Sequence, residues 1–128
     1  MAIYKYFNVS TGNLTSHNLK LLSKIVAEGA NQIYLRPRLG ITISAYEYGY
    51  FVSVPPEEGF LETAKKLIEK GLDPSLTSAL VLARGNDCDL IRFDADGDPS
   101  ELPQYEDGET YVEYRKRNRV NDHHYPTS

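Results

Sequence analysis

The residues best placed to do chemistry are Asp94, Asp96 and Asp98, alternate carboxylates in the stretch Asp94-Ala95-Asp96-Gly97-Asp98. Alternating acids can chelate a cation, since a calcium loop takes oxygens from every second position. Such a loop also needs glycine sixth and glutamate twelfth. Counting from Asp94, those positions hold Pro99 and Tyr105. The cluster is therefore a weak metal candidate, and a solvated acidic turn that ends a strand is the expected reading.

The same acids follow the apolar run Leu90-Ile91-Arg92-Phe93. A strand ending in Asp-x-Asp superficially resembles the nucleophile motif of haloacid-dehalogenase-like phosphatases. There the first carboxylate attacks phosphorus and the second handles the leaving group. That motif sits on the first strand of a long doubly wound domain. Only 30 residues follow Asp98, too few for the lysine and second acidic pair such a site needs.

Other candidates are thinner. Arg115, Lys116, Arg117 and Arg119 lie beside Tyr111 and Tyr114, a mixture that can bind single strands by charge and stacking. Yet Asp94 to Glu113 holds eight acids and no base, so neutralisation within the chain is the better expectation, and a nucleic-acid partner is not expected. His123-His124 stand near the end with no further ligands in view, and His17 has no evident nucleophile or orienting group. Gly40, Gly49 and Gly59 are too far apart to cradle a phosphate. No complete catalytic, cofactor or metal set is expected.

Tyrosine is the composition's outlier: ten tyrosines and no tryptophan. Tyr46, Tyr48 and Tyr50 share parity, and Tyr4 and Tyr6 lie on one side of a strand. Such rings bury area while their hydroxyls tolerate water, which suits a contact with a bacterial protein or a second copy of the chain. The competing reading is that they cap the edge of the core.

The elements that must position these groups follow from periodicity. Ile3 to Val9 alternates as a strand, with Ile3, Lys5, Phe7 and Val9 on one face. Thr15 or Ser16 can cap a helix over Ser16–Glu28, stopped at Gly29. Ile33-Tyr34-Leu35 is a short strand candidate. From Gly40 to Val54 the apolar parity breaks: Ile41, Ile43 and Ala45 oppose Tyr50, Val52 and Val54. A hairpin turning near Glu47-Tyr48-Gly49, with Gly49 free to take a positive φ, restores one common face. Glu57–Lys70 reads as a helix with acids in its first turn, the apolar stripe Phe60, Leu61, Ala64, Leu67 and Ile68, and a stop at Gly71. Asp73-Pro74 starts another, Pro74–Arg84, ending at Gly85. Cys88 to Phe93 is a strand, and Tyr111-Val112-Glu113-Tyr114 a short β-like stretch. Ile43, Val52, Leu67, Leu80 and Ile91 are the expected core.

The fold class predicted is α+β: a small mixed or antiparallel sheet of four to five strands with about three helices mainly on one face. One domain is expected over 1–114, then a polar C-terminal tail over 115–128. The hydrophobic share of 41% and charged share of 25% exclude a disordered chain, and a net charge of −4 carries no basic footprint for phosphate. The lone Cys88 forbids an internal disulfide and fits a reducing compartment. No signal peptide or membrane-length apolar run is visible, so a cytoplasmic location is expected.

Four stretches together resemble a known family. Glu47 to Pro55, Cys88 to Asp96, Leu102-Pro103-Gln104-Tyr105, and Ser10-Thr11 with Leu14-Thr15 at a helix start are similar to domain-of-unknown-function family 5983. The resemblance spans roughly residues 4 to 107; Glu106-Asp107 depart from it, and the tail from Gly108 has no counterpart. It implies a small bacterial protein of plasmids and other mobile elements, and identifies no active site. The expected function is a non-enzymatic accessory protein of a mobile element or phage, acting by protein contact, with inhibition of a host defence system as one form. The alternative is a metal-dependent hydrolase or nucleotide-binding enzyme built on Asp94, Asp96 and Asp98.

Overall fold

A computed structural model describes residues 6–28, 41–97 and 100–122, the last four by backbone alone. Strands β1 (Tyr6–Ser10), β2 (Ile43–Tyr46), β3 (Gly49–Ser53) and β4 (Leu90–Asp94) form a four-stranded sheet in the order β1-β4-β3-β2. β1 runs parallel to β4 and the other neighbours are antiparallel, so the sheet is mixed and the fold α+β. Helices α1 (Ser16–Glu28), α2 (Phe60–Glu69), α3 (Pro74–Gly85) and α4 (Tyr111–Asp122) complete it, one more than expected. The candidate strand Ile33-Tyr34-Leu35 and the Gly29 stop lie outside the described residues.

The hairpin explains the broken parity. Tyr46 pairs with Gly49 across a two-residue turn, so Ile43 comes opposite Val52 and both face the helices. Gly49 is needed for a different reason from the one expected. It does not take a positive φ; instead a Cβ there would lie 1.7 Å from the Phe93 carbonyl oxygen on β4.

Register gives the sheet two unlike faces. Val9, Ile43, Val52, Ile91 and Phe93 are fully buried, packed with Leu22 and Ile25 of α1, Leu67 of α2 and Leu76, Ala79, Leu80 and Ala83 of α3. All five expected core residues are among the buried ones. On the opposite face no described residue is buried.

Helix ends show where local signals worked. The Thr15 hydroxyl accepts the Asn18 N–H to start α1, and Asp73 accepts from Ser75 N–H to start α3 on Pro74. Those two caps interlock. The Asn18 amide, fully buried, donates to Asp73 Oδ1 (2.9 Å) and Ser75 Oγ (2.7 Å) and accepts from the Asp73 N–H (2.8 Å), while Thr15 Oγ1 donates to Asp73 Oδ2 (2.5 Å). Gly71, at φ 107°, closes α2 with paired bonds from Gly71 N–H to Ile68 and Leu72 N–H to Leu67.

Three expectations need correction. Glu57 and Glu58 precede α2, which begins after Gly59 in a left-handed conformation (φ 87°). The apolar stripe of α2 buries only Leu67 fully, leaving Leu61 and Ile68 at 70% and 46% exposure. α3 ends at Gly85 as expected, with Asn86 as its C-cap and Asp87 behind it at φ 58°. The stretch Tyr111 to Tyr114 is the first turn of α4, not a strand. Thr110 and Glu113 make reciprocal bonds there, N–H to Oε1 (3.1 Å) and N–H to Oγ1 (3.0 Å), a capping box that commits the chain to helix. α4 runs on through Asp122, so the start of the stretch read as a polar tail is helical.

Candidate functional site

The sheet face that no described helix covers is a small lattice of side chains. At one level stand Tyr6, Leu90 and Ser53; at the next, Asn8, Arg92, Phe51 and Ser44; at the third, Ser10, Asp94, Gly49 and Tyr46. Alternation within each strand puts them there, because Ile91, Phe93, Val52 and Val9 take the other face. Arg92 occupies the middle. Its Nε donates to Asn8 Oδ1 (2.9 Å), and its guanidinium carbon lies 5.3 Å from the centre of the Tyr6 ring. Phe51 is its neighbour on β3, and the Phe51 and Tyr46 rings approach to 4.9 Å. Tyr48, in the turn and 55% exposed, meets Tyr46 edge-on at 6.3 Å.

One bond on this face passes over β3. The Tyr46 hydroxyl on β2 donates to Asp94 Oδ2 on β4. Neighbouring strands lie about 4.8 Å apart, so this bond spans roughly 10 Å of sheet. Gly49 stands between them and has no side chain to block the ring. The neutral phenol is favoured: partial burial first, then the bond to Asp94 and that carboxylate's charge, push the Tyr46 pKa up to about 12, against a smaller opposing pull from Arg92. Asp94 is held below the usual carboxylate range by the Tyr46 hydroxyl, then by the Asp96 N–H on its Oδ1 (2.8 Å).

The acidic turn is thus tied into the fold. Gly97 N–H bonds the Asp94 carbonyl (2.9 Å), Ala95 N–H bonds the Tyr48 carbonyl (2.9 Å), and a Cβ on Gly97 would meet the Val9 carbonyl oxygen at 2.0 Å. Asp96 is exposed in the turn, and Asp98 lies outside the described residues. Among the described residues no group of three His, Cys, Asp or Glu is arranged to hold a metal ion.

The structure therefore brings Asp94 and Tyr46 together and splits the tyrosine set. Tyr6, at 52% exposure, and Tyr46 lie on the uncovered face, with Tyr48 at its rim. Tyr50 pairs beside Phe93 on the core face, its hydroxyl against Ser23 of α1. Tyr4 lies outside the described residues. Shared parity across a turn misled here, since the turn residues reverse the count. Sequence reading missed Arg92 and Phe51, though the signal was present: Leu90, Arg92 and Asp94 alternate with buried Ile91 and Phe93.

The other candidates have structural duties. His17 Nε2 bonds the Gly71 carbonyl (2.8 Å), linking α1 to the end of α2. Arg117 grips Glu109 with Nε (2.8 Å) and Nη2 (3.0 Å) and stands 3.9 Å from Glu106, so part of the basic cluster is neutralised by the acidic segment. Tyr105 packs against Tyr114 at 4.6 Å beside that pair. His123, His124 and the side chain of Arg119 lie outside the described residues.

Comparison with known families matches the model described as "Family of unknown function (DUF5983) C-terminal domain" over residues 6–107, ending before α4. No curated protein and no solved structure matches the chain.

Proposed function

The chain belongs to the DUF5983 family, and from that premise we propose that it is a non-enzymatic protein acting by contact with a bacterial protein through the uncovered sheet face. One observation carries this reading. A sheet buries one face against three helices, while the other presents Tyr6, Tyr46, Tyr48, Phe51 and Arg92, with no buried residue among the described ones. Tyrosine and arginine are the side chains that most often dominate protein contacts, because they combine area, rigidity and donors. The bacterial, mobile-element setting implied by the sequence resemblance makes a host protein the expected partner, and inhibition of a host defence system one form of the contact.

The test is affinity capture from a bacterial lysate with the wild-type chain and with a Tyr6→Ala/Tyr48→Ala variant. These two rings are exposed, so their loss should leave the fold intact by circular dichroism. A protein captured by the wild type and lost by the variant supports the face. Equal capture by both sends the contact elsewhere. The hydrolase alternative has a separate test: calcium, magnesium or manganese should raise the melting temperature of the wild type and not of an Asp94→Asn/Asp96→Asn variant.

A further inference from the structure

We infer that Arg92 is the anchor of this face and that the partner segment it holds is acidic, presenting an Asp or Glu carboxylate to the guanidinium. The inference rests on the protein-contact reading above and specifies its chemistry.

Arg92 differs from the chain's other well-anchored arginines. Arg84 donates to the carbonyls of Pro55 and Val54 and pairs with Asp89, and Arg117 pairs with Glu109 and Glu106. Among the described residues Arg92 donates only through its Nε, to Asn8. No ion pair joins it to a carboxylate among the described residues. The acid nearest in the lattice, Asp94, has its two oxygens engaged by Tyr46 and the Asp96 N–H. Among the described residues no unpartnered side-chain nitrogen is buried, and Arg92 itself is only partly buried. What remains is a half-buried, planar cation, fixed on one side by Asn8 and Tyr6, with unused donors at its accessible end.

That geometry suits a carboxylate, whose two oxygens match the guanidinium fork. Rings at Tyr6, Phe51 and Tyr46 would exclude water around such a pair and strengthen it. Charge at the rim decides between classes of anion. Asp94, Asp96 and Glu47 surround the hairpin end, and the chain carries −4 overall. A polyphosphate backbone would meet those acids along its length, whereas a single carboxylate brings one charge, set against Arg92 with Asp94 beside it.

The experiment selects binders to the full chain from a phage-displayed dodecapeptide library and measures synthetic versions by calorimetry, with oligo-dT as the nucleic-acid arm. Enriched peptides should carry an Asp or Glu beside apolar residues. Changing that acid to its amide should weaken binding to the wild type at least tenfold, and Arg92→Gln should do the same, with Arg92→Lys intermediate because it keeps charge and loses the fork. The amide comparison uses the wild-type chain, so it holds even if Arg92→Gln folds poorly. Peptides without acids that are nonetheless lost on Tyr6→Ala/Tyr48→Ala would overturn the inference and leave the contact face standing. Peptides indifferent to both sets of variants, or binding of oligo-dT alone, would overturn both.

Discussion

Tyr46 on β2 hydrogen-bonds Asp94 on β4 across Gly49, joining two strands that do not touch. The bond makes a titration signature. A raised phenol pKa means the folded state favours the neutral form, so its stabilising effect is complete below pH 10.0 and lost as pH climbs to about 12. In 13Cζ-tyrosine NMR, the Tyr46 resonance should titrate near 12. Asp94→Asn should bring that midpoint down without restoring it fully, because burial, the largest cause, remains. Asp94 has the opposite sign: its depressed pKa contributes stability above 3.8, lost as pH falls through the folded value. A Tyr46 that titrates like free tyrosine would show that the cross-sheet bond is absent.

Gly49→Ala should damage the hairpin. Its new methyl would sit 1.7 Å from the Phe93 oxygen, a backbone atom that cannot swing away. Overpacking of this kind costs about 1–3 kcal/mol, read as a lower urea midpoint. The same variant should also lower the Tyr46 midpoint, since β3 must shift away from β4. An unchanged urea midpoint would contradict the close approach.

How much of this was legible in the sequence depends on which physical signal each element carries. The hairpin was readable because a parity break has few structural repairs, and Ile43 opposite Val52 is the one it took. The start of α3 was readable because Asp73 and Pro74 act locally. α4 was misread because Tyr111 and Tyr114 have β character, and aromatic content outweighed the Thr110–Glu113 capping signature. The exposed Leu61 was misread because helical spacing gives the stripe but not how much of it tertiary packing covers. Of the candidate site, tyrosines and acids were found separately. Their meeting needs register across three strands, which no local pattern supplies.

The core predicts a contrast along α2. Leu67 on α2 and Leu80 on the neighbouring α3 are buried, and replacing either with alanine should cost about 2–5 kcal/mol in lost contacts and cavity. Leu61, 70% exposed six residues earlier, should change stability by no more than about 0.5 kcal/mol. Chemical denaturation of the three variants checks this. Equal losses at Leu61 and Leu67 would mean the helix is rotated from the face described.

Asn18 should matter more than a polar residue usually does. It satisfies the Asp73 N–H and donates to Asp73 and Ser75 from a fully buried position. Asn18→Ala leaves those groups unpaired where water cannot easily reach, at a cost of about 1–3 kcal/mol. Thermal melting is the measurement, and a stabilised or neutral variant would show that water replaces the amide freely.

The last prediction concerns how α4 is held. Arg117 reaches back to Glu109, whose side chain is only 7% exposed, while Thr110 and Glu113 close the first turn. The Arg117 hydrogen bonds, then the Glu106 N–H contact, hold the Glu109 pKa below its usual 4.5. For a depressed carboxylate the stabilising effect is present above 4.5 and lost as pH falls through the folded value. Acid should therefore loosen α4 before it loosens the sheet, whose core is apolar and does not titrate. Hydrogen exchange, corrected for the intrinsic pH dependence, should show protection in 111–118 falling while Ile91 and Val52 stay protected. Glu109→Gln should reproduce that loss at neutral pH, and Thr110→Ala should add about 0.5–2 kcal/mol of local destabilisation by removing the cap. Protection of α4 that survives Glu109→Gln would assign its attachment to the Tyr105–Tyr114 ring contact instead, and a Tyr105→Ala variant would then release the helix where the charge variant did not.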